Sequence, residues 1–439
     1  MDYPAQNTVG KMVSTSGWLF IDRFVRMGVG FLVGILIARH YGPEQWGMLS
    51  YLVASATLFA ALATAGSEDI ILRDLSQADS PQKIANIQKT TFILRLFFGS
   101  LAYAALVTLI GWSQGIGLTF YMALAYGSLF IFQASEIWEY RLRIEHRVAI
   151  IARTHILTSF FSSIVKVICV IFGWPLIYVT CSMSAEYAGN MGLLANYRAR
   201  HWSLWLGQFD STYAKNLLKS SLLVMVSVTL VAAQVRCEYY LVDYFLGIES
   251  VGIYAAAFKC MELFDILVVI FSMTLVPELA KRHVLEHPVL ASRTYLLGFV
   301  IFLLMLIPIT LLYFLFPWLY GAKYIAAQEL IPWLAMRPLL VILGSIRSIF
   351  LVLEGRLRYV PLCATVGLVC SLTAGWFLIP MLGLVGAAVS GLISLFVSNF
   401  VMDVFFQPQN IARMRGAFSQ WGYVVEKGKQ VHKLRKPHA

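Results

Sequence analysis

Residues 41–51 read Tyr41-Gly42-Pro43-Glu44-Gln45-Trp46-Gly47-Met48-Leu49-Ser50-Tyr51, and residues 246–256 read Leu246-Gly247-Ile248-Glu249-Ser250-Val251-Gly252-Ile253-Tyr254-Ala255-Ala256. At an offset of 205 residues, Gly42, Glu44 and Gly47 fall on Gly247, Glu249 and Gly252. Each copy is a turn between two apolar runs, and each run is long enough to cross a bilayer. A looser echo, Gly383-Leu384-Val385-Gly386-Ala387-Ala388, stands near the end of the chain.

Outward from these turns, apolar runs occupy 17–39, 46–66, 90–111, 116–135, 149–172, 175–196, 220–246, 250–277, 293–316, 327–353, 361–380 and 384–406. A segment in hydrocarbon must satisfy its own backbone hydrogen bonds, so each run reads as a helix. The same offset carries the run starts 17, 90 and 175 to 222, 295 and 380, close to those of the seventh, ninth and twelfth runs. The expected fold is an all-α polytopic membrane protein of about twelve transmembrane helices in two parallel six-helix lobes. The lobes are residues 1–205, with an amphipathic link starting near 197, and 206–406. A basic tail fills 407–439.

Composition agrees. Hydrophobic residues make up 59% of the chain and charged ones 13%, with a mean hydropathy of +0.73, so its surface suits lipid rather than water. The net charge of +11 would fit a nucleic-acid partner if it were spread over a water-facing surface. It follows topology instead. With the N-terminus inside, 24 of the 34 Lys and Arg fall on inward segments and only Arg39 and Lys323 on outward turns, which places both termini in the cytoplasm. Met1 to Gly17 is polar and the first run lacks a small-residue cleavage site, so that run reads as a retained helix.

The outward loops are short: Gly173-Trp174-Pro175 and Leu382-Gly383 are little more than turns. That argues against an enzyme working on the outer face. Gly10-Lys11-Met12 lacks the glycine lead and the Ser/Thr of a phosphate loop, and no His/Glu metal signature or cofactor motif occurs. The six cysteines lack CxxC spacing and read as packing residues. The eight histidines, His155 among them, read as solvated or interfacial. The basic aromatic stretch 197–219 and the tail after Phe406 read as anchors on membrane lipid headgroups.

Eight cations remain inside the spans: Arg23, Arg26, Arg95, Lys166, Arg236, Lys259, Arg337 and Arg347. Each would cost roughly 2.5–3.5 kcal/mol at the bilayer centre, so an interior face or a wet cavity is expected. Asp22, Glu186, Glu238, Asp243, Glu262 and Asp265 lie at similar depth. Lys259 with Glu262 also reads as a structural i,i+3 pair, and Arg95, near a helix start, as a snorkelling side chain. Arg23, Arg26, Arg236, Arg337 and Arg347 are the leading cavity residues, with Lys166 and Lys259 beside them. Guanidinium groups match phosphate in a bidentate fork, so a multiply anionic substrate is expected. Asp22, Glu238, Asp243 and Glu262 are candidates for ion coupling. Pro332 and Pro338 flank Arg337 and predict a kink there.

Gly17-Trp18 with Arg23, then Ala38-Arg39-His40-Tyr41-Gly42-Pro43-Glu44-Gln45-Trp46-Gly47, and later Val251-Gly252-Ile253-Tyr254-Ala255-Ala256-Ala257-Phe258-Lys259, resemble the Wzx-type polysaccharide flippases. These belong to the multidrug/oligosaccharidyl-lipid/polysaccharide exporter superfamily, and the resemblance covers nearly the whole chain. It implies a V-shaped alternating-access transporter in the bacterial inner membrane. That protein would move an undecaprenyl-pyrophosphate-linked oligosaccharide, such as a lipopolysaccharide O-antigen repeat unit, to the periplasmic leaflet. It also implies ion-gradient coupling and a polysaccharide polymerase machinery as partner. Where the family commonly has Asp nine residues before the turn glycine of the seventh helix, this chain has Glu238. The competing readings are a drug/cation antiporter of the same superfamily, a lipid II flippase and, in the enzyme class, an O-antigen polymerase or ligase.

Overall fold

The computed structural model describes residues 5–65, 67–202, 207–281, 288–356 and 359–416. Side chains are described from Phe24 onward and only in part between 266 and 288, so those of Asp22 and Arg23 lie outside the described residues.

The first helix, α1 (Ala5–Ala63), contains both of the first two apolar runs and bends between them at Gly42, where φ is 79°. An L-side chain is disfavoured there, which is why glycine opens this turn. The short α2 (Glu68–Ser76) leads to α3 (Pro81–Gln114), which starts on Ser80 as N-cap with Pro81 following. A broken helix follows as α4 (Leu118–Gly127), α5 (Leu129–Phe132), a 3₁₀ turn at Gln133–Ser135 and α6 (Glu136–Ile144). Next come α7 (Val148–Ile171), α8 (Leu176–His201), α9 (Ser211–Leu246), α10 (Ile248–Lys281) and α11 (Pro288–Tyr320). A second interrupted helix consists of α12 (Ile325–Gln328), α13 (Ile331–Leu334) and α14 (Arg337–Leu353). The last spans are α15 (Tyr359–Leu382), α16 (Leu384–Phe396) and α17 (Met402–Phe406), the latter two joined by a π-helical turn at Val397–Val401. Among the described residues nine helical segments are long and apolar enough to cross a membrane. The fold is all-α and polytopic, as the apolar runs predict.

The packing divides the chain into two compact units. The first is Met1–Tyr239 with Leu246–Ala255; the second is Tyr240–Phe245 with Ala256–Ala439. The sequence reading placed the boundary at 205/206, whereas α9 as far as Tyr239 and the turn after it group with the first unit. Part of the reason lies in the repeated turns themselves. Gly247 has φ 81°, matching Gly42. A methyl group on Gly47 would overlap the carbonyl oxygen of Ile248, and one on Gly252 would overlap the carbonyl oxygen of Pro43. The 205-residue offset converts one contact into the other. This reciprocity is what two copies related by a local twofold produce.

At the end of the first unit that carries α2, a core cluster includes Ile71, Leu75, Ile87, Ile137, Trp138 and Leu217. Phe92 stacks on Trp138 at 5.6 Å. The guanidinium of Arg198 lies over the Trp138 ring at 5.2 Å, and that of Arg141 over the Trp202 ring at 4.4 Å. These guanidinium groups cover aromatic faces in cation–π geometry.

Candidate functional site

In the first unit, the 3₁₀ turn at Gln133–Ser135 sets the direction of α6, and Glu136, Glu139, Tyr140 and Arg143 share one face of that helix at i, i+3, i+4 and i+7. They border a polar pocket of about 220 Å³ that is also walled by Arg26, His155, Glu186 and Asn190. Arg95 is 1% exposed. Its Nη1 donates to Glu136 Oε2 at 3.0 Å and its Nη2 to Tyr140 Oη at 2.7 Å. This corrects the snorkelling reading of Arg95: a carboxylate and a phenol hold the charge inside the helix bundle. Glu139 is 3% exposed. It accepts a 2.9 Å bond from Asn190 Nδ2 and lies 2.8 Å from His155 Nε2. The interfacial reading of His155 is corrected too, because its side chain is only 18% exposed. The Glu139 carboxylate therefore meets both an imidazole and an amide inside the bundle.

The other predicted residues of this unit are distributed along it. Arg26 is half-buried on the wall of the polar pocket. Lys166 Nζ lies 3.6 Å from Glu186 Oε2. The Arg236 guanidinium sits 5.6 Å from the Tyr239 ring centre, and Glu238 is 2% exposed.

In the second unit two arginines are buried against carboxylates. Arg337 Nη1 donates to Asp265 Oδ2 at 2.6 Å, and the guanidinium lies 4.5 Å from the centre of the Phe258 ring. No other hydrogen bond or ion pair of Arg337 occurs among the described residues, so its Nε and Nη2 remain unspent. The helix breaks between Leu334 and Arg337, as the flanking prolines predict. Arg347 is engaged more fully. Its Nε donates to Asp403 Oδ2 at 2.8 Å and its Nη2 to Cys363 Sγ at 3.1 Å. Asn410 Nδ2 donates to the same Asp403 oxygen at 3.1 Å. Asp403 is 1% exposed and stands two residues past the π turn, behind Met402. Beside it Arg413 Nη1 reaches Glu354 Oε1 and Asn410 Oδ1, each at 2.8 Å. Lys259 is exposed and pairs with Glu262 at 2.9 Å, and Asp243 is half-buried.

The structure thus brings Arg26 close to Glu186, the partner of Lys166, and leaves Arg337, Arg347 and Lys259 each with an acid of its own. Sequence reasoning missed Glu136, Glu139, His155 and Asp403. The spacing of the first two on one helical face was the available signal. Among the described residues no group of three or more His, Cys, Asp or Glu side chains is arranged to hold a metal ion.

No protein-family model and no curated protein matches the chain. Solved structures do. An inward-facing multidrug resistance MATE family transporter of the MOP superfamily superposes with a TM-score of 0.72, at 15% identity, over 91% of this chain and 99% of that one. The fold is that of these transporters. The lipid II flippase MurJ, in an inward closed conformation, follows at 0.67 and 13% identity, over 93% of this chain and 92% of that one. A MATE transporter in complex with MaD3S gives 0.61 and 15%, over 92% and 96%. Likeness at this identity shows the fold alone and leaves cargo to the side chains.

Proposed function

We propose that the chain flips a lipid-linked oligosaccharide from the inner to the outer leaflet of the bacterial inner membrane, with both termini in the cytoplasm and alternating access as the mechanism. The observation that carries this reading is the half-spent guanidinium of Arg337. It is 8% exposed, held by one nitrogen on Asp265, and keeps Nε and Nη2 for a second anion. A phosphate can take that remaining edge in a bidentate fork. Arg23, Arg26, Arg236, Lys166 and Lys259 would share the work on a pyrophosphate as the headgroup advances. Arg347 has spent two nitrogens already and would instead hold α14, α15 and α17 together. The coupling proton would reside on Glu139 and His155, with Asp22, Glu238, Asp243 and Glu262 as further carriers. A polysaccharide polymerase would receive the product.

Arg337→Ala is expected to lower surface glycan display at least tenfold, the cost of about 1.4 kcal/mol or more in anion contact. Asp265→Asn is expected to spare it, because the arginine then has more to give. Normal display in Arg337→Ala would remove the residue from the substrate path.

A drug/cation antiporter is the second reading. Glu136, Glu139 and Glu186 around one pocket favour it, since acids attract cationic cargo. Expression that confers resistance to organic cations and leaves glycan display untouched would select it.

A further inference from the structure

A larger polar pocket, about 530 Å³, lies elsewhere in the first unit, between α2, the start of α3 and the start of α9. Its size falls within the roughly 300–1,000 Å³ typical of small-molecule sites. One wall belongs to the segment joining the two sequence repeats, and that segment is pinned. Lys89 Nζ donates to the Gly207 carbonyl oxygen at 2.8 Å, the Gln208 amide to Asn86 Oδ1 at 2.7 Å, and the Asp210 amide to Thr90 Oγ1 at 2.9 Å. Gly207 fits against the backbone of Ala85 where a Cβ would overlap it. The pocket is therefore preformed rather than assembled around a ligand.

Its lining is unusual in kind. Gln77 and Asn216 contribute amides, Ser220 a hydroxyl and Tyr213 an aromatic ring, while the Gln82 amide already donates to Asn86 Oδ1 at 3.3 Å. The charged side chains of the lining are already engaged: Arg73 is bound to Asp74 at 3.0 Å and Lys83 lies 3.5 Å from Asp79, just outside the pocket. Two helix N-termini converge here, which would ordinarily favour an anion. Both are occupied by their own caps. Ser80 accepts from the Lys83 amide, and Asp210 accepts from the amides of Thr212 and Tyr213 at 2.9 Å each. What remains is a neutral surface dense in paired donors and acceptors, with apolar Ile70, Ile87 and Leu217 between them. That chemistry matches a polyhydroxyl ring, whose hydroxyls both donate and accept and whose C–H face packs on apolar surface.

We propose that this pocket is a carbohydrate subsite that reads a neutral sugar of the cargo before translocation. The assignment rests on the glycan-flippase reading for its role, but sugar binding itself stands on the pocket alone. Charge bias puts Arg73, Lys83, Lys215 and Lys219 on the inner side, where a glycan built in the cytoplasm would arrive.

The test uses the purified full chain in detergent and saturation-transfer NMR with neutral hexoses, 6-deoxyhexoses and N-acetylhexosamines, and with inorganic phosphate as the opposing probe. At least one sugar is expected to bind saturably, and Gln77→Ala with Asn216→Ala is expected to weaken it tenfold or more. Arg337→Ala should leave that binding unchanged. Absence of binding by every sugar, or binding of phosphate in their place, overturns the subsite. Sugar binding that follows these variants in a protein unable to flip lipid-linked glycan would overturn the transport reading and leave the subsite intact.

Discussion

Asp403→Ala is expected to be the most damaging single substitution in the second unit. Arg347 and Asp403 have side chains only 5% and 1% exposed, and their contact at 2.8 Å joins α14 to α17. Removing the carboxylate leaves a guanidinium buried with Cys363 and an aromatic ring. It also takes from Asn410 the acceptor that it now shares with Arg347. Breaking one partner of a buried ion pair costs about 3–5 kcal/mol, because the survivor keeps its desolvation penalty and loses its compensation. Replacing both partners, as in Arg347→Met with Asp403→Leu, should restore most of the loss, since apolar side chains of similar size have no charge to desolvate. Thermal unfolding in detergent gives the comparison. Equal damage from the single and double variants would contradict the pairing.

Gly252→Ala is expected to have the second largest effect. A Cβ there meets the Pro43 carbonyl oxygen, and backbone cannot rotate aside as a side chain would. The two repeated turns must separate, at a cost of about 1–3 kcal/mol or more for forced overpacking. Gly28→Ala is the natural control, because a Cβ at that helical position meets nothing within 4 Å and should stabilise by roughly 0.5–1 kcal/mol. Gly47→Ala breaks the symmetry-equivalent contact, so the double variant should cost less than the sum of the singles. Strict additivity in unfolding measurements would show that the two contacts are independent.

The fold was largely legible from hydropathy, because spanning helices must be long and apolar and the repeated glycine turn marks where two of them meet. The limits of that signal are physical. Hydropathy reads charge as a boundary, so the fourth run was expected to end at 135. Helical structure resumes after the 3₁₀ turn and runs to Ile144, with Glu136 paired inside the protein to Arg95, 41 residues away in sequence. The same logic placed His155 at an interface, since its partner Glu139 lies one helix earlier. The third run was expected at 90–111, whereas α3 begins at Pro81, where Ser80 caps it outside the apolar stretch. The bend near Arg337 was readable because Pro332 and Pro338 act locally. The partners of Arg337 and Arg347 were not, as Asp265 and Asp403 are 72 and 56 residues distant. Sequence spacing counts intramembrane charges; only tertiary packing says which of them have donors left to offer a substrate.

A glycan on a lipid anion is the proposed cargo. The most direct measurement reconstitutes the purified chain in liposomes loaded with a fluorescent polyprenyl-pyrophosphate oligosaccharide and follows its appearance in the opposite leaflet. Transfer is expected to be faster than in protein-free liposomes and to fall at least tenfold in Arg337→Ala. Transfer no faster than in protein-free liposomes, alongside proton-coupled movement of an organic cation, would contradict it.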